Sequence, residues 1–195
     1  MDREARKYWE AQRRQMLRRD RQQRGGYFAD NLLVTKILIA LMLLSFLVER
    51  FAPGVLDVIF RGYLGFAASL ILSALMPGSF LGLIFAGVFL WIIGSQLEGL
   101  TTWWQYLVIF FASGVIGSLA ASALGSGYIG GTFASFGLAG AYVMAMATRR
   151  VSGAAQWAIL LLAINVILSG FQPGLLAGML AAFFAGLVMA RIAQI

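Results

Sequence analysis

Polar and apolar positions divide the chain into a hydrophilic start and a series of long apolar runs. After a polar segment covering residues 1–30, apolar residues dominate roughly 31–51, 64–76, 79–97, 103–124, 129–148, 155–170 and 174–194. A helix needs about 20 residues to cross a hydrocarbon core, and all but one of these runs reach or approach that length. The exception is Leu64 to Met76, thirteen residues ahead of Pro77-Gly78. A helix that short lies in the interface or dips into the membrane instead of spanning it. The pattern therefore predicts an all-α membrane protein: six transmembrane helices, with a membrane-embedded loop over about 52–78 after the first. Two parts follow, a tail over 1–30 and a membrane domain over 31–195.

Composition agrees. With 61% hydrophobic and 12% charged residues and a mean hydropathy of +0.84, the chain is too apolar for an ordinary soluble domain. It has no cysteine, which removes disulfides, thiolate metal sites and thiol nucleophiles together. It has no histidine, so the commonest general base and metal ligand is missing. No pair of carboxylates falls inside a run, and neither a metal site nor a cofactor is expected.

Charge supplies an orientation. Residues 1–26 carry nine of the fifteen Lys and Arg and four of the eight Asp and Glu, a net +5. Ala5, Trp9 and Met16 share roughly one face, so the tail reads as a basic, weakly amphipathic helix. Its arginines, Arg13, Arg14, Arg18, Arg19, Arg21 and Arg24, are expected to lie against anionic lipid headgroups or a partner. Nucleic acid is the disfavoured alternative, although arginine clusters alone do not distinguish lipid phosphate from RNA phosphate. No cleavable signal is expected, because the charged region is long and no small-residue site follows the first run. With the tail inside and six spans, Glu98, Arg149-Arg150 and Arg191 fall on the cytoplasmic side and only Arg50 and Arg61 outside, the positive-inside pattern. A crossing by the thirteen-residue segment would export Arg149-Arg150 and Arg191. Both termini are thus expected in the cytoplasm, and the membrane to be a prokaryotic plasma membrane.

Small residues recur at helical spacing. Gly130, Ala134, Gly137 and Ala141 step by four, three and four, as do Gly174, Gly178, Ala181 and Ala185, and Gly82 and Ala86 begin a shorter stripe. Between helices in lipid, close backbone approach through small residues is a main source of packing energy. The fourth and sixth spans are therefore expected to touch. Trp103-Trp104 and Tyr106 open the third span as an interfacial aromatic belt would. Asn165 is the one carboxamide well inside a span, where an interhelical hydrogen bond is the commonest role.

The order of these features resembles the rhomboid intramembrane protease family, and particular residues carry the likeness. Met76 to Gly94, MPGSFLGLIFAGVFLWIIG, followed by Leu97-Glu98, is similar to the family's second-span pattern. Phe136-Gly137-Leu138-Ala139-Gly140-Ala141 is similar to the fourth-span segment after the serine motif, and Gly174-Leu175-Leu176-Ala177-Gly178 to the sixth-span segment after the catalytic histidine. The resemblance implies a rhomboid-like topology. It also places the family's catalytic positions, and each is changed. The Gly-x-Ser-Gly motif reads Gly130-Gly131-Thr132-Phe133, the sixth-span histidine falls at Phe171, and the oxyanion-stabilising His and Asn fall at Gly82 and Ala86. The Trp-Arg of the embedded loop falls at Ala68-Ser69.

A hydroxyl is a weak nucleophile without a neighbouring base, so Thr132 is expected to bond back to a preceding helical carbonyl. Glu98 is expected to brace the loop to the third span. Phe171 and Phe133 are expected to fill the cavity that admits substrate in the family. The resemblance therefore implies a pseudoprotease that binds other transmembrane proteins without cleaving them. Two alternatives stay open: a structural subunit of a larger membrane complex docked through the arginine tail, and a residual hydrolase using Thr132. A transporter is disfavoured, since no internal repeat or series of intramembrane polar residues is present.

Overall fold

In the computed structural model, residues 32–58, 65–126, 130–149 and 172–194 are described, with scattered positions between 153 and 167. The chain divides into two units, Met1–Leu33 and Val34–Ile195. The arginines of the tail, Arg61, Arg150, Asn165 and Phe171 lie outside the described residues.

Every described element is helical: α1 (Leu33–Phe51), α2 (Val55–Val58), α3 (Gly65–Ser73), α4 (Phe80–Glu98), α5 (Trp103–Ala123), α6 (Gly130–Thr148) and α7 (Pro173–Ile192). Four of them, α4 to α7, have the length and apolar composition to cross a membrane. α1 has 19 residues but carries Lys36, Glu49 and Arg50 near its ends. α3 is a 9-residue helix that stops at Ser73, ahead of Pro77.

Local sequence sets the boundaries. Ser79 caps α4, its hydroxyl accepting from the Gly82 amide at 3.0 Å. Thr102 and Gln105 form a reciprocal capping box at the start of α5. Pro173 opens α7 at the position where a missing amide hydrogen costs nothing. Within α4 the residues Leu90–Gly94 form a π-helical turn, which shifts the register of everything beyond it.

α6 is the axis of the bundle: 78% of it is buried, against 33% of α4 and of α7. It packs against both α5 and α7, which also pack on each other. The reason is side-chain size. A Cβ on Gly137 would overlap the Ser113 side chain of α5, and one on Gly186 would overlap the Gly137 carbonyl, so α6 and α7 meet backbone to backbone. A Cβ on Gly140 would overlap the Phe183 carbonyl.

The small residues do not all face where the sequence pattern suggested. Gly130 is held against the Ser73 and Ala74 backbone at the end of α3, and a Cβ on Gly114 of α5 would come within 3.1 Å of the Ala134 side chain. Gly130 and Ala134 therefore meet α3 and α5, Ala141 is buried in the core shared by α1, α4, α5 and α7, and Gly137 meets α5 and α7 together. On α7, Gly174 abuts Ser126 and Gly178 abuts the Phe133 ring and the Gly117 carbonyl. Ala181 and Ala185 are half-buried; the packed line continues instead through Ala182, Gly186 and Ala190. α6 and α7, which carry the two stripes, pack on each other as expected.

α1 is tied to the bundle by polar bonds as well as by Leu38 and Met42 in the core. Glu98, at the end of α4, accepts from the Val34 amide (2.9 Å), the Thr35 amide (2.9 Å) and the Thr35 hydroxyl (2.6 Å). It thereby caps α1 from a distant element, with an anion at the positive end of the helix. The expected brace to the α4–α5 loop is corrected: the Glu98 carboxylate goes to the first helix, and Tyr106 joins through Thr35 at 3.2 Å. Farther along, Ser45 donates to the Leu75 carbonyl at 2.7 Å, fixing α1 to the segment after α3.

Candidate functional site

Where α4, α6 and α7 come together a cavity of about 120 Å³ remains. Its walls are Leu81, Gly82, Phe85, Ala86 and Phe89 of α4, Thr132, Phe133, Ser135 and Phe136 of α6, and Leu175 and Met179 of α7, with Pro77 and Ser79 at one end. Three of the four residues that the sequence resemblance singled out, Thr132, Gly82 and Ala86, thus line one space. The fourth, Phe171, lies outside the described residues.

The sequence builds this space through the start of α6. The Gly131 amide, one of the donors a helix leaves unpaired in its first turn, donates to the Met76 carbonyl at 3.1 Å. Gly130 and Gly131 let that loop approach: a Cβ on Gly131 would sit 2.8 Å from the Met42 methyl and 3.0 Å from the Met76 carbonyl oxygen. Thr132 is thereby fixed at the cavity wall, half-buried, facing Gly82.

The hydroxyls differ in their commitments. Ser135 donates to the Gly131 carbonyl at 3.0 Å, and Ser79 caps α4. Thr132 has no hydrogen-bond partner among the described residues. The carbonyls of 128 and 129, to which a back-bond was expected, lie outside the described residues.

Phe133 does not fill the cavity, contrary to expectation. It is wedged between α5 and α7: a Cβ on Gly117 would come 2.6 Å from the Phe133 Cβ, and one on Gly178 2.6 Å from its ring. Two glycines facing each other make the slot that takes Phe133, which lines the cavity and leaves it open. The floor is set by Phe89 and Phe136, tilted rings 5.1 Å apart, a geometry aromatic pairs favour. Gly82 leaves no room for a side chain either, because a Cβ there would overlap the Pro77 carbonyl oxygen.

Chemically, the wall combines the Thr132 hydroxyl, without a partner among the described residues, with an apolar lining. Among the described residues that line it there is no carboxylate, imidazole, amine or thiol. In volume the space is close to the apolar cavities of about 150 Å³ that hold a benzene-sized group. It therefore suits one apolar side chain and is too small for an extended segment of chain.

Sequence reading missed Gly114, Gly117, Gly140 and Gly186, each at a close helix contact. Spacing carried the signal: Gly114 and Gly117 lie three apart, and Gly178, Ala182 and Gly186 four apart. The Glu98 to Thr35 pairing and the Phe89 to Phe136 contact join residues 63 and 47 positions apart, for which a single sequence holds no sign.

No curated protein and no solved structure matches the chain. The family model of the Rhomboid domain matches residues 65–194, from the first residue of α3 to beyond the end of α7. That stretch takes in every wall of the cavity and well over half of the 195 residues, and the chain accordingly belongs to the rhomboid family.

Proposed function

We propose that the protein is a rhomboid pseudoprotease, which binds transmembrane helices of other membrane proteins and does not cleave them. The observation that carries this reading is the chemistry of the cavity wall: the nucleophile position holds Thr132, and among the described residues no group able to take its proton lines the same space. Removing the base from a serine-type dyad lowers the rate by several orders of magnitude. The chain has no histidine to serve from elsewhere, and the position that the family gives to its base is Phe171.

The cavity itself supports binding. α4 packs on α6 and makes no extended contact with α7, so the space lies in a seam between helices. One apolar client side chain fits there, beside the Thr132 hydroxyl. In the same reading the chain crosses the membrane six times with both termini in the cytoplasm, and the arginine tail rests on anionic headgroups.

Purification of the tagged full-length chain from its host membrane in mild detergent, followed by quantitative mass spectrometry, tests the proposal. A spread of substoichiometric, intact single-span proteins is expected, unchanged by Thr132→Ala. One partner near one-to-one would replace the reading with a fixed complex subunit. Clients clipped next to their spans, with clipping abolished by Thr132→Ala, would establish a protease instead; a serine-reactive phosphonate labelling Thr132 would point the same way.

A further inference from the structure

α6 and α7 end at the same level of the bundle, and the ends carry Arg149 and Arg191. With Thr148 and Gln194, these line one open pocket of about 560 Å³. Both arginines are exposed, and neither guanidinium has an ionic or hydrogen-bond partner among the described residues. The Thr148 hydroxyl donates to the Ala145 carbonyl at 3.0 Å, and the Gln194 backbone N–H closes a turn on the Arg191 carbonyl at 3.3 Å. Among the described residues no acidic side chain lines the pocket.

We infer that this pocket is a binding site for the phosphate of an anionic phospholipid headgroup. Three arguments carry it. The first is charge. Each helix end contributes about half a negative charge, and two full positive charges outweigh the two ends, leaving a net attraction for an anion. The second is shape: a guanidinium matches two phosphate oxygens at once, and two of them meeting in a concave space can clasp a phosphodiester from two sides. The third is depth. Trp103 and Trp104, which begin α5 at this same end, are 64% and 62% exposed. Tryptophans with that exposure sit at the headgroup level of a membrane, so the pocket opens where lipid phosphates are and where free phosphate must compete with them. Basic pockets between transmembrane helices are a general means of holding such headgroups.

The site is separate from the cavity at Thr132 and stands whatever becomes of the client-binding reading. It is tested on the full-length protein in a neutral detergent by native mass spectrometry, titrating phosphatidylglycerol, phosphatidylcholine or inorganic phosphate. Three chains are compared: the wild type, Arg149→Gln with Arg191→Gln, and a tail variant with Arg13, Arg14, Arg18, Arg19, Arg21 and Arg24 all changed to Gln. The wild type is expected to retain one phosphatidylglycerol in preference to phosphatidylcholine. The double variant should lose that preference by roughly thirtyfold, from about fivefold for each surface arginine, while the tail variant keeps it. The inference is overturned if the double variant retains phosphatidylglycerol as the wild type does, if only the tail variant loses it, or if inorganic phosphate displaces the lipid at equal concentration. Because both arginines are exposed and helix-compatible, loss of fold is not expected, and an unchanged circular dichroism spectrum and elution volume confirm that the variants are comparable.

Discussion

A single methyl group decides how closely two helices of this bundle approach. At Gly186 the added carbon would overlap the Gly137 carbonyl, a backbone atom that cannot turn aside. Gly186→Val is therefore expected to destabilise the protein by about 3 kcal/mol or more, measured as unfolding in mixed micelles. Gly87 is the control, since a Cβ there meets nothing within 4 Å. Gly87→Ala should be neutral or stabilising by up to about 1 kcal/mol, because it gives up only backbone freedom. Ser118 tests the opposite case. Its hydroxyl is fully buried on α5 without a hydrogen-bond partner among the described residues. An unsatisfied buried hydroxyl costs about 1–3 kcal/mol, so Ser118→Ala should raise stability, and equal or lower stability would show that the hydroxyl has a partner in the membrane.

Among the elements, α1 depends most on one distant residue. Its first two bundle amides, Val34 and Thr35, and the Thr35 hydroxyl all donate to the Glu98 carboxylate. Glu98→Gln leaves one oxygen and turns an NH₂ toward donors, and a hydrogen bond to a charged group is worth about 1.5–3 kcal/mol. Loss of about that much stability is expected, with earlier protease cleavage near the start of α1 than elsewhere; cleavage spread evenly would show that α1 is held by Leu38 and Met42 alone. α4 offers a second case. At the end of the Leu90–Gly94 π turn it presents Gly94 to the Tyr106 hydroxyl, so closely that a Cβ would overlap it. The extra residue in that turn thereby places Glu98 over the end of α1.

At the scale of the molecule, the orientation of the bundle in the membrane can be measured directly. It has no cysteine, so any single introduced thiol is labelled against no background. Ser126 lies after α5 and Gln194 after α7. Ser126→Cys is expected to react with an impermeant maleimide in intact cells, and Gln194→Cys only after lysis. The reverse result would turn the bundle over and place Arg149 and Arg191 outside.

The sequence by itself determined that this is a helical membrane protein, because runs of apolar residues must satisfy their backbone internally in lipid. It also marked α3 as too short to span, and Thr132, Gly82, Ala86 and Phe171 as the positions to compare with the family's catalytic residues. Which helix each small residue meets was decided only by the tertiary structure. Gly130 and Ala134 share a face by spacing, and they meet two different helices, α3 and α5. A stripe of glycine specifies close approach without naming the neighbour, since every helix backbone is alike to it. Whether the cavity stays open is likewise a tertiary matter. Phe133 is large enough to close it, but the paired Gly117 and Gly178 take the ring into another seam, and that slot exists only when two helices from distant parts of the chain lie side by side.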